Sequence, residues 1–163
     1  MIKICGIISI TNKFMHQKLF RFEADQSVRV EELTDDTIIA IANYESGRAI
    51  VITSRIKRRL LEHYRCLGKP KKFAPHVFAA SLVLMIVNSE FRVDELVIDI
   101  EYPGYETAII DLLQKYSPKL TVYFSIIGKK SPAHFVAYGV HKGKRKPDQS
   151  TKFDEILAII NKK

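Results

Sequence analysis

Val77–Val87 is apolar at every position except Ser81, and no other stretch constrains the fold as much. A helix that is hydrophobic all round must be covered on every side. The run falls short of the roughly 20 residues that cross a bilayer, so no membrane association is expected. It is better read as the central helix of a layered domain, opened by Pro75 near its first turn. The rest of the chain has to supply the cover.

Short apolar runs and amphipathic segments are arranged around it. Ile2–Ile10 reads as a strand covered on both faces, followed by a second strand over Gln17–Glu23, where Arg21 and Glu23 alternate with Phe20 and Phe22. Thr34, with Asp35 and Asp36 behind it and Gly47 downstream, carries the signals of a capped and terminated helix. A strand over Ile38–Asn43 is the rival reading. Ala49–Thr53 reads as a strand. A basic helix follows it, with Ile56, Leu60, Leu61 and Tyr64 inward and Lys57, Arg58, Arg59 and Arg65 outward.

Beyond the central helix, Leu96–Glu101 and Leu120–Ile127 read as strands. A helix carrying Ile109, Leu112, Leu113 and Tyr116 separates them, Ser131-Pro132 opens another helix, and Thr151 caps a last one. This alternation predicts a single α/β domain over 1–163, a mixed sheet of about five strands with helices on both faces. Cys5 and Cys66 lack metal-ligand spacing, and the first residues lack a basic leader. Buried thiols in a reducing cytoplasm, rather than a disulfide, are the expectation.

Charge carries the functional signal. The net charge is +8, and it is unevenly spread. Arg55–Lys72 holds eight basic residues and one acid, Glu62, and Gly128–Pro147 holds six basic residues and no acid. Seven acids fall in Glu23–Glu45 and seven in Glu90–Asp111. Segregation of this kind favours a polyanionic partner, nucleic acid above all. The expected phosphate contacts are Lys129, Lys130, Ser131, His134, Lys142, Lys144, Arg145 and Lys146, with Arg58 and Arg59 from the first block. Gly128–His134 is the sharper part, because a strand ends, two lysines follow and a helix N-terminus opens. It is not a nucleotide P-loop, since Tyr123 stands where that motif requires glycine.

Asp99 and Glu101 form the carboxylate pair of interest. On a strand they share one face, at the carboxyl end where α/β sheets hold ligands, and they could bind Mg²⁺ or Mn²⁺ for phosphodiester hydrolysis. Among the aromatic residues, Tyr123, Phe124 and Tyr138 are expected mainly in the core, although each could stack on a base.

The order hairpin, helices, strand ending in Asp99, helix, strand, helix resembles the ribonuclease H-like superfamily over most of the chain. The resemblance implies a carboxylate at the end of the fourth strand, matched by Asp99, that helps hold two catalytic metals. It also implies a late ligand, for which Asp148 or His134 stands, and a first-helix glutamate, for which Glu62 stands. The superfamily's central aspartate lies on the first strand; with Ile2–Ile10 in that place, the position offers only Ser9. The functional expectation is therefore a nucleic-acid-binding protein, with a divalent-metal nuclease using Asp99 and Glu101 as the alternative. A module that self-associates through its oppositely charged sides is the third reading.

Overall fold

The computed structural model describes residues 18–162. The strand expected over 2–10, with Cys5 and Ser9, lies outside the described residues. Three antiparallel strands open the fold: β1 (Arg21–Ser27), β2 (Thr37–Ala42) and β3 (Gly47–Ile52). Two helices follow, α1 (Ser54–Cys66) and α2 (Phe73–Val87), joined by a single 3₁₀ turn at Pro70–Lys72. Then come β4 (Glu95–Asp99), α3 (Glu106–Tyr116), β5 (Thr121–Ser125), α4 (Pro132–His141), β6 (Gln149–Ser150) and α5 (Phe153–Asn161).

The strands form one mixed sheet in the order β5-β4-β1-β2-β3-β6. β4 runs parallel to β1, and β5 parallel to β4. The described sheet has six strands against about five expected, and the sixth is a two-residue parallel edge on β3. Helices cover both faces. Phe22, Ala24, Ile39, Ile41, Ile50 and Ile52 point to the side packed by α2. Ile38, Ala40 and Ala49 meet Ala137 and Val140 of α4 on the other. The close approach of α4 explains Gly47, where a Cβ would lie 3.0 Å from that of Ala42 and 3.1 Å from Cγ2 of Val136.

α2 is buried along nearly its whole length, as its composition requires. The span Pro70–Val87 is long and apolar enough to cross a membrane by composition alone, but here its side chains fill the core between sheet and helices.

Cys66, expected to be buried, is exposed, and three further expectations change. Thr34–Gly47 contains no helix: β2 occupies its middle, with every residue buried. Two buried faces produce a continuous apolar run, which periodicity cannot separate from a helix. Asp36 instead accepts from the Ser54 N–H at 2.8 Å, at the start of α1. Thr151 does not cap α5; its hydroxyl and N–H donate to the Val51 carbonyl, and Glu155 accepts from the Lys152 N–H at 3.0 Å.

The third concerns Lys57, which is fully buried rather than outward. Its ammonium donates to Thr37 Oγ1 at 2.9 Å, to the Glu32 carbonyl, and more distantly to the Arg29 carbonyl at 3.5 Å. One cation thereby ties α1 to the connection between β1 and β2.

Tyr64 and half-buried His76 make another polar contact, hydroxyl to Nδ1 at 2.9 Å. Burial, aided by Lys72 and Lys69, holds His76 below its ordinary value of 6.5. The folded protein therefore binds this proton less readily than the unfolded chain, and stability falls as pH drops below about 6.5. In thermal melts between pH 7 and pH 5.5, His76→Gln is expected to remove that part of the loss.

Candidate metal centre

β1 and β4 lie side by side and parallel, while their chain continuations leave in opposite directions across the sheet. Such a switch point opens a crevice at the carboxyl ends of the strands. The last paired residues there are Ala24 and Ile98, both facing α2. One residue further on, the alternation turns Asp25 and Asp99 to the α4 side. Glu101 follows Asp99 beyond the end of β4, after the bend at Ile100. Carboxylate oxygens of Asp25, Asp99 and Glu101 all lie within 4.8 Å of one another.

Each is held by its surroundings. Asp25 is buried; its Oδ1 accepts from the Gln26 N–H at 2.7 Å, and its Oδ2 lies 3.0 Å from Nδ1 of His134. Asp99 Oδ1 accepts from the Ile127 N–H at 2.7 Å, which fixes the chain just past β5. Glu101 pairs with Arg29 at 3.2 Å. Next to it, Tyr102 packs on Phe78, and its hydroxyl meets Glu31 Oε2 at 3.1 Å and the Val30 N–H at 3.4 Å. Burial pushes the carboxyls of Asp25 and Glu101 up from their ordinary values, Asp25 against the pull of His134 and Glu101 against that of Arg29.

Compared with family models, curated proteins and solved structures, the chain finds no match. Its chemistry has to be read from its own side chains.

Asp25 is the site residue that sequence reasoning missed. A second strand over Gln17–Glu23 stops short of it, whereas β1 runs on to Ser27. The signal was present: Phe20, Phe22 and Ala24 alternate with Arg21, Glu23 and Asp25. Asp99 and Glu101 do come together, although Glu101 reaches the site from beyond β4 rather than along its face. His134 joins through Asp25. The other residues compared with superfamily ligands stand apart: Glu62 is exposed and pairs with Arg65, and Asp148 accepts from the Ala49 N–H and from Arg145.

Ser131 is buried, with its hydroxyl donating to Glu23 and accepting from the Ala133 N–H. This N-cap leaves the exposed Lys129 and Lys130 as the free donors of the turn. Lys130 lines a hollow of about 320 Å³ with Arg21, Glu23 and Ser125. Lys71, from the first basic block, faces Glu101 across a cleft of about 410 Å³ shared with Glu31 and Tyr102. The first basic block thus reaches the cleft that Glu101 lines, while Lys130 lines a separate hollow beside Ile127, whose N–H holds Asp99.

Other basic residues are further away or already engaged. Arg145 donates to the Gly47 carbonyl and Asp148, and with Lys142, Lys144 and Lys146 it follows the opposite end of α4. Arg58 donates to the Leu33 carbonyl and Ser54 Oγ, and Arg59 lies 4.3 Å over Phe153. Of the three aromatic residues, Phe124 packs on the core, while Tyr123 and Tyr138 are 45% and 46% exposed and so belong to the surface.

Proposed function

We propose that this protein is a divalent-metal-dependent nuclease of the ribonuclease H-like type, cutting a nucleic-acid strand drawn in by its lysines. The observation that carries this reading is the convergence of three carboxylates, one from β1 and two from the end of β4 and its continuation, at the β1–β4 switch point. Supporting it, among the described strands Asp25 lies on β1, beside β4 near the middle of the sheet, and Asp99 ends β4, an arrangement like the one the resemblance implies, with Asp25 rather than a residue of 2–10 as the strand aspartate.

The donor set fits the metal. Three hard carboxylate oxygens in one cluster suit Mg²⁺ or Mn²⁺ rather than a thiolate-seeking ion. Such a cation supplies Lewis-acid polarisation of a phosphoryl oxygen and a more acidic water. The protein's own residues provide the geometry. His134 and the Gln26 amide orient Asp25, and the Ile127 amide orients Asp99. Tyr102 anchors the segment that delivers Glu101. Lys129 and Lys130 attract the phosphodiester backbone.

The test is incubation of single- and double-stranded DNA and RNA with Mg²⁺, Mn²⁺ or EDTA. Divalent-dependent cleavage of at least one form is expected, and no cleavage of any form sinks the reading. Binding gives a separate check. Replacing Lys129 and Lys130 by Ala is expected to weaken affinity and to reduce the slope of log K against log salt by about one per lysine.

A further inference from the structure

Arg29 stands where a free arginine would not be expected. It follows Val28, whose φ of 63° is the only positive value among non-glycine described residues. A β-branched residue in that region is strained and persists only where its surroundings over-determine it. Here they do. The Arg29 carbonyl accepts from the Glu32 N–H at 3.1 Å, from Thr37 Oγ1 at 3.2 Å and from buried Lys57 at 3.5 Å. The clamp fixes the backbone and sends the side chain to the acidic centre. One guanidinium nitrogen lies 3.2 Å from Glu101 Oε2 and another 3.6 Å from Glu31 Oε1. The side chain remains half-exposed, at 52%, so it can leave without unpacking the core.

Resting on the metal-dependent reading above, we propose that Arg29 is the resident counter-cation of the centre, which a divalent ion displaces from Glu101 and which then takes a phosphate of the bound strand. Two consequences follow from this exchange. In the free protein Arg29 competes with the metal for Glu101, so metal affinity is held down. When nucleic acid is bound, its phosphate draws Arg29 away, so strand and metal bind cooperatively, each raising the other's affinity by the same factor. Arg29 touches the strand directly in this scheme, and the metal is retained only where there is a strand to cut.

The test is Mn²⁺ affinity, measured by calorimetry on the full chain, without and with a phosphorothioate oligonucleotide that resists cleavage. Wild type is expected to bind Mn²⁺ more tightly with the oligonucleotide. Arg29→Gln should bind Mn²⁺ roughly fivefold more tightly than wild type without it, and should gain less from it. Arg29→Lys, which keeps the charge, should stay near wild type. If Arg29→Gln leaves Mn²⁺ affinity unchanged or weakens it, or if both variants tighten it equally, the assignment of Arg29 is overturned and the metal centre stands. If wild type binds no Mn²⁺ at all, the metal-dependent reading fails, and this one with it.

Discussion

Asp25→Asn is expected to reduce divalent-dependent cleavage by at least about a thousandfold, some 4 kcal/mol of barrier, while leaving nucleic-acid affinity within a few-fold of wild type. The substitution preserves shape and most contacts. Asparagine Oδ1 can still accept from the Gln26 N–H, and its amide can donate to Nδ1 of His134 in the other imidazole tautomer. What disappears is one anionic oxygen pair from a cluster of three carboxylates. The variant should also separate catalysis from folding. Burial raises the Asp25 carboxyl above its unfolded value of 3.8. A group raised in this way stabilises the fold below its unfolded pKa, and that contribution is lost as pH rises through the folded value. At neutral pH the metal-free protein therefore carries a penalty that Asn does not. Asp25→Asn should melt no lower than wild type without metal, and Mn²⁺ should raise the melting temperature of wild type only. A lower metal-free melting temperature for the variant would mean that Asp25 is structural. The same raised carboxyls should make Mn²⁺ binding weaken as pH falls, because protonated Asp25 and Glu101 cannot serve as ligands.

Lys57→Ala should be the most damaging substitution away from the centre. It removes a buried side chain and leaves the Glu32 carbonyl and Thr37 hydroxyl without their partner, at a cost of about 3 kcal/mol. For a chain of this length that corresponds to a fall in melting temperature of roughly 6–12 °C. Lys57→Met fills the space but still orphans the acceptors, so it should fall between Ala and wild type. The Arg29 clamp loosens in both variants, and cleavage should decline by more than the loss of folded protein accounts for. Chemical denaturation of the three proteins checks the order; equal stability of wild type and Lys57→Ala would refute the structural role.

The features readable from the sequence are those set by local pattern. α2 announces itself by composition, and α4 by Ser131 and Pro132, whose side-chain cap and first-turn proline are present. β4, α3 and β5 follow from short apolar runs separated by a helical period. What was not legible depends on partners distant in sequence. β2 mimics a helix because it is buried on both faces, and only its pairing with β1 and β3 decides the matter. Lys57 looks like any outward cation on a basic helix; the acceptors that allow its burial lie 20 to 28 residues away. Asp25 was hidden by a strand boundary four residues too early, and its place emerges only because β4, over 70 residues downstream, lies alongside β1. The clustered charge was visible throughout. Of the acidic cluster, Asp99 and Glu101 were legible and Asp25 was not.

Crystals soaked in Mn²⁺, with diffraction recorded at the manganese absorption edge, test the central claim most directly. The account predicts an anomalous peak between Asp25, Asp99 and Glu101, about 2.1 Å from their oxygens, that disappears in Asp25→Asn. Saturating Mn²⁺ with no peak there, or with the same peak in the variant, would contradict it.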